Sequence, residues 1–393
     1  MQWFVGGRLT TIFILLLCTS GASQIQSPPQ FRGGVTLVPV EVRVVDKTGA
    51  PVTDLTPADF DIKDNGRPQK VELFEAVSLE GSTAGRTFLI VLGRGRLNHP
   101  TKVLQALMNF VRSQILPQDR IGVIAYLRAI EPTTDHDALV EFLEAYRTRH
   151  EAIDGMLAAD LRRAAMGRLR PIRTETRTAI EGLFSATHLS VRDLAGDAGI
   201  GVDPYNDFRY LRNGLEYLRT IDGEKHSVFV SEQPFGVGVV ENDPLKNFWF
   251  RQATAARASL SYIHAGGAPA PAMSRGRLHG GGPLLSGLHP GVVAAYEIVA
   301  EQTGGLSSFF QFADKPLTAL DRSTRFHYLL GYYPTEPLPS NAYRNIEVAV
   351  TRPGLRLLYR HGYVAQPEGE RPEDYRRAVT DARLDMGADL LVH

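Results

Sequence analysis

The segment Gly93-Arg94-Gly95-Arg96-Leu97-Asn98 comes nearest to chemistry by residue type and spacing. It follows an unbroken apolar run, TFLIVL over 87–92, and precedes an amphipathic stretch. Glycines at such a strand-to-helix junction let the backbone approach a pyrophosphate, as in a dinucleotide loop. Here Asn98 stands where the third glycine belongs, and His99-Pro100 delays the helix. The next apolar run ends at Arg128 rather than at a carboxylate that could hold a ribose. The segment is therefore not read as a nucleotide site. Asp193, Asp197, Asp203 and Asp207 lie in a glycine-bearing segment without the spacing of a calcium loop, and they read as solvated. His264 and His289 flank a low-complexity segment, 265–288, that contains His279, and the three lack the i, i+4 spacing of a helical metal pair. The sequence contains no HExxH, GxSxG or Walker A motif and no EF-hand loop. Its one cysteine, Cys18, excludes disulfide scaffolds, zinc–cysteine sites and CxxC redox chemistry. No motif assembles a nucleophile with a base. The expectation is a protein that is not an enzyme and carries no cofactor and no bound metal.

The 393 residues carry 43 Lys+Arg against 43 Asp+Glu, so no basic excess points to nucleic acid. A hydrophobic content of 43% is enough for a sizeable core. Residues 1–22 read as a secretory signal: Arg8 is the positive charge, 9–19 the apolar stretch, and Ser20-Gly21-Ala22 the small residues before cleavage. The apolar stretch is short for a membrane span of about 20 residues. A lipoprotein site needs a small residue before Cys18, and Leu17 stands there. The expected protein is exported, periplasmic or extracellular, with no transmembrane helix after cleavage.

The elements that would position a site follow from periodicity. A Pro/Gly-rich linker, 23–34, leads to strands with period-2 apolar spacing from Val35 to Val44, to Phe60-Asp61-Ile62-Lys63, and to 69–77, with a hairpin turn at Asp64-Asn65-Gly66. From Arg86 the pattern becomes strand–helix alternation. Apolar runs at 87–92, 120–127, 226–231 and 259–264 alternate with helical stretches at about 101–116, 136–185, 206–220, 245–257 and 289–303. An antiparallel edge strand is expected to end near Pro132, a loop over 187–204, and a short strand over 306–311. Strands return at 327–333, 345–351 and 355–360. The expected fold class is α/β, a doubly wound and mostly parallel sheet inserted in a β-sandwich. Neither the strands of 35–80 nor those of 326–364 can bury an apolar face alone, so they are expected to build that sandwich together around an α/β domain at 86–325. Residues 365–393 read as a charged tail with a short helix.

The chain resembles the von Willebrand factor type A (VWA) fold, and more narrowly the VWFA-related proteins of the acidobacterial type. The residues that carry this are Val44-Val45-Asp46, Gly49-Ala50-Pro51-Val52, Leu55-Thr56, Asp59-Phe60, Asp64-Asn65-Gly66-Arg67-Pro68-Gln69, Thr303-Gly304-Gly305, Tyr328-Leu329-Leu330-Gly331-Tyr332-Tyr333-Pro334, Arg352-Pro353-Gly354 and Arg360-His361-Gly362-Tyr363. The resemblance implies a divalent-cation site just after the first strand of the α/β domain, with an Asp-x-Ser-x-Ser motif. Those positions hold Gly93, Gly95 and Leu97 here. The threonine ligand would match Thr133 or Thr134, and a later aspartate would match Glu232. A hard cation wants several oxygen ligands, so the metal motif is degenerate and Arg94 and Arg96 would repel the ion.

The resulting expectation is a non-enzymatic module that binds a protein partner. Its site would be the crevice at the C-terminal edge of the sheet, walled by Arg94, Arg96, Thr134, Asp135 and Glu232. Two rivals keep their place: a hydrolase or transferase with an undetected site, and a scaffold for envelope assembly.

Overall fold

The computed structural model describes residues 37–93, 97, 102–165, 172–194, 206–221, 223–232, 244–265, 290–309, 312–335 and 343–364. The expected signal (1–22), the linker (23–34), most of the low-complexity segment and the tail (365–393) lie outside the described residues. Among the described residues no helix is long and apolar enough to cross a membrane.

The N-terminal part forms β1 (Val38–Val45), a single 3-10 turn at Pro57–Asp59, β2 (Phe60–Asp64), β3 (Arg67–Gln69) and β4 (Leu73–Ser78). The middle is β5 (Thr87–Leu92), α1 (Val103–Ser113), β6 (Arg120–Ala125), β7 (Arg128–Thr133), α2 (His136–Ala165), α3 (Thr174–Phe184), β8 (Val191–Asp193), α4 (Asn206–Leu218), β9 (Lys225–Ser231), α5 (Pro244–Ala255), β10 (Ala258–His264), α6 (Pro290–Thr303), β11 (Ser307–Ser308) and α7 (Asp314–Thr324). The chain closes with β12 (Phe326–Tyr332), β13 (Tyr343–Val350), β14 (Arg356–Tyr359) and β15 (Gly362–Val364).

The central sheet has the order β11-β10-β9-β5-β6-β7-β8. Strands β11, β10, β9, β5 and β6 run parallel; β7 is antiparallel to β6, and β8 is antiparallel to β7. Every residue of β5, β9 and β10 is buried, which is why these strands read as continuous runs rather than alternations. Helix α1 presents Val103, Leu104, Leu107, Phe110 and Val111 to this core, the i, i+3, i+4 stripe of a helix lying on a sheet.

Two four-stranded antiparallel sheets flank it, β14-β1-β12-β4 and β15-β13-β2-β3. Each combines strands from both ends of the chain: β1 pairs with β12 and β14, and β2 pairs with β13. The two sheets share one apolar core that includes Val40, Val42, Phe60, Ile62, Tyr328, Leu330 and Ile346. The β2–β3 hairpin turns through Asn65 (φ 49°) and Gly66 (φ 78°). Two successive positive φ values are what a two-residue turn needs, and Asn-Gly is the pair that adopts them at least cost. Inside the sandwich the Asp64 carboxylate accepts hydrogen bonds from Arg344 Nε (2.7 Å), Tyr332 Oη (2.9 Å) and Tyr363 Oη (3.2 Å). We predict that Tyr332→Phe lowers stability by about 1 kcal/mol in urea unfolding, since it deletes one bond and leaves Asp64 two other donors.

Four expectations differ from the structure. The stretch 69–77 is not one strand: β3 belongs to one sheet of the sandwich and β4 to the other, so the chain changes sheets between Gln69 and Leu73. Residues 187–204 were expected as loop, and β8 forms inside them, so β7 is not the edge. Strand β8 is three exposed residues with no apolar pattern; backbone pairing with β7 makes it a strand. The expected strand at 306–311 contracts to Ser307–Ser308. Helix α7 forms where no element is expected, because its apolar contribution is limited to Pro316, Leu317 and Leu320 in a polar stretch.

Candidate functional site

In an open α/β sheet the ligand crevice lies at the C-terminal ends of the parallel strands. Here those ends are Leu92, Ser231 and His264 on β5, β9 and β10. The Gly93 amide donates to the Val230 carbonyl (2.7 Å), and the Ala265 amide donates to the Ser231 carbonyl (2.9 Å). Pairing therefore runs past the last strand residues and brings the three strand ends together. Gly93 lies hard against the end of β9. A Cβ placed there would meet Ser231 Cβ at 2.7 Å, Ser231 Oγ at 2.8 Å and the Phe229 ring at 2.9 Å. Ser231 is fully buried, and so is Leu97, which belongs to the main apolar core. His264 is buried too. Desolvation pulls its pKa down to about 4, partly opposed by a hydrogen bond to the Ser231 carbonyl, so the ring is neutral at neutral pH. On the other side of the sheet the same edge carries the Arg128–Asp193 ion pair (2.5 Å).

The residues expected to wall this crevice do not all meet there. Gly93, Leu97 and the half-buried Glu232 lie at the C-terminal edge. Arg94, Gly95 and Arg96 fall between Gly93 and Leu97 in the chain and lie outside the described residues. Thr134 and Asp135 sit at the opposite edge, which corrects the expected grouping. An antiparallel strand ends where its parallel neighbours begin: Arg128 pairs with Ala125 at the end of β6, and Thr133 pairs with Ile121 near its start. Six residues of extended chain separate the two edges by roughly 20 Å. Asp135 has work of its own there. Its carboxylate accepts the Ala138 amide (3.0 Å) at the start of α2 and faces His188 Nε2 at 3.0 Å. The capping bond, then His188, holds its pKa below the usual carboxylate range, the behaviour of a helix N-cap.

These positions do not fit a divalent cation. A Cβ at 93 would force Ser231 and Phe229 to shift, so a carboxylate there would come at the cost of the packing. Leu97 is packed into the core, and the threonine that would complete the ligand set is an edge away. Among the described residues no group of three or more His, Cys, Asp and Glu is placed to hold a metal ion. The sequence did not reveal the residue that shapes this edge, Ser231. The only hint was a small polar residue ending an otherwise apolar strand opposite a glycine.

No family model matches the chain, and no curated protein matches it. Among solved structures it is similar to an aerotolerance-related membrane protein from Bacteroides fragilis, at 8% identity and a TM-score of 0.32, over 61% of this chain and 98% of that one. It is also similar to the human COPII-coat protein Sec24c, at 10% identity and a TM-score of 0.30, over 72% of this chain and 43% of that one. Likeness at this level assigns no activity.

Proposed function

We propose that this chain is an exported, VWA-like module that binds a protein partner without catalysis and without a metal, through the C-terminal edge of its parallel sheet. The observation that supports this most is the contact of Gly93 with Ser231, which a ligand-bearing side chain would have to push apart where the resemblance would put the first carboxylate. With no carboxylate at 93, the charge in the adjoining sequence is that of Arg94 and Arg96. Arginine is always protonated and can grip a carboxylate with two parallel hydrogen bonds. An acidic patch on the partner is therefore the complement of these two arginines. Export rests on the composition of residues 1–22.

The experiment is capture of partners from the native envelope fraction by the wild-type chain and by Arg94→Ala/Arg96→Ala, each with and without EDTA over a range of salt. The expected result is capture that EDTA does not change and that falls, with a shallower salt dependence, in the double variant. Capture abolished by EDTA, or equal capture by both chains at low salt, would overturn the reading. Turnover on a broad substrate panel would favour the enzyme instead. We also predict that millimolar magnesium leaves thermal unfolding unchanged. A ligand at a hundred times its Kd would stabilise by about 2.7 kcal/mol, a shift that calorimetry resolves.

A further inference from the structure

The sandwich meets the α/β body at the N-terminal edge of the parallel sheet, opposite the candidate site. A group of buried ionisable side chains lies in that junction. Glu224 immediately precedes β9; its Oε1 is 3.0 Å from His226 Nε2, and its Oε2 is 3.6 Å from His327 Nδ1 on β12. His226 Nδ1 is 2.7 Å from Ser259 Oγ on β10, and the ring lies 5.1 Å from that of Phe88 on β5. Arg43 on β1 gives one terminal nitrogen to the Gly304 carbonyl after α6; its other, Nη1, has no hydrogen-bond partner. Arg43, His226 and His327 are 6%, 1% and 9% exposed. A cavity of about 20 Å³ opens among Glu41, Arg43, Glu224, His226, Thr303 and Arg360, enough for one water molecule.

The charges facing this junction come from every element around it. Arg43 and Glu41 come from β1, Arg86 from the start of β5, Glu224 and Lys225 from the start of β9, and Arg360 from the end of β14. Arg360 lies 3.5 Å from Glu41, and Lys225 donates to the Ile221 carbonyl at 2.7 Å. Asp119 and Asp321 already pair with Arg86, so Arg43, Lys225 and Arg360 face Glu41 and Glu224 before His226 is protonated. A proton on His226 adds like charge to a site with little water to screen it.

We propose that Glu224, His226, His327 and Arg43 form an acid-sensitive latch between the α/β body and the sandwich, which loosens when His226 takes up a proton. Burial holds the His226 ring below the ordinary histidine value of 6.5, although Glu224 opposes the shift. For Glu224 burial acts upward, but its bond to His226 and the charges of His226, Arg43 and His327 win and bring it from 4.5 down to about 2. The signs agree. Below the ordinary histidine value the unfolded chain binds protons that folded His226 refuses, so stability falls as pH drops through that window. The contribution of Glu224 survives until pH falls below 4.5. In mildly acid solution the latch is therefore read through histidine.

The test compares the wild-type chain with His226→Gln/His327→Gln in thermal unfolding at about pH 7.5 and about pH 5.5. His264 and His361 are also depressed by burial, so only the difference between the chains reports the latch. The acid-induced fall in Tm is expected to be smaller in the variant than in the wild-type chain; an undiminished fall overturns the proposal. Should the variant not fold, the wild-type chain decides by NMR. The His226 ring is expected to titrate below 6.5. After correction for intrinsic rates, amide exchange around Glu41–Arg43 should rise on acidification before exchange in β5 does. Titration at or above the ordinary value, or a uniform rise across the fold, refutes the latch.

Discussion

Arg86→Ala costs the fold about 3–5 kcal/mol, because it leaves the Asp119 carboxylate buried without its cation, while Asp321 keeps Arg325. The Arg86 side chain is completely buried. It sits just before β5 and is bound on every side. Its Nε and Nη2 donate to the two oxygens of Asp119, at 3.2 Å and 2.5 Å, a bidentate pair. Nη2 also reaches Asp321 Oδ1 (3.0 Å), while Nη1 donates to Thr324 Oγ1 (2.6 Å) and to the Asp321 carbonyl (3.0 Å). Its guanidinium lies 4.9 Å from the centre of the Phe88 ring. One side chain therefore fastens the start of β5 to the turn before β6 and to the end of α7, from which the chain enters the sandwich. Chemical denaturation is expected to show either that loss or a chain that does not fold. Arg86→Lys should recover little of it, since a lysine cannot reproduce the fork that holds Asp119 and Thr324 together. A lysine variant as stable as wild type would show that charge alone, not the bidentate geometry, does the fastening.

Rebuilding the metal motif with Gly93→Asp, Gly95→Ser and Leu97→Ser is expected to destabilise the chain without creating a magnesium site. The aspartate Cβ would lie 2.7 Å from that of Ser231, inside any normal contact. Overpacking of this kind costs about 1–3 kcal/mol. Leu97→Ser adds the loss of a fully buried leucine, for which truncation costs about 2–5 kcal/mol and a buried hydroxyl adds to it. The two changes are close in the chain, so their sum is an upper guide rather than a forecast. The measurement is the urea midpoint with and without magnesium. The expected outcome is a midpoint shifted well below wild type that magnesium does not raise. Magnesium rescue of the triple variant would show that the Gly93–Ser231 contact can relax, and it would remove the main support for metal-independent binding.

Much of the architecture was legible for simple reasons. Unbroken apolar runs such as TFLIVL and HSVFVS mark strands covered on both faces, and they became β5 and β9. The apolar stripe after Thr101 became α1, and Asp64-Asn65-Gly66 made the hairpin. What could not be read was decided by backbone pairing or by a few buried contacts. Strand β8 has no apolar residue in its interior, and α7 is polar except on one narrow face. The change of sheets after Gln69 arises because β3 pairs locally with β2, whereas β4 pairs with β12 from the far end of the chain.

The candidate site divides along the same line. By itself the sequence determined that Gly93, Gly95 and Leu97 offer no side-chain oxygen at the positions where the resemblance would put metal ligands, because side-chain chemistry is a property of the residue alone. Proximity is not. That Thr134 and Asp135 belong to the far edge follows from the direction of β7, and that any side chain at 93 crowds its neighbours follows from Ser231 lying against it. The junction of Arg43, Glu224, His226 and His327 exists only in the folded chain. It draws together β1, β9 and β12 from three distant parts of the sequence, and burial there, not residue type, sets how those groups hold their protons.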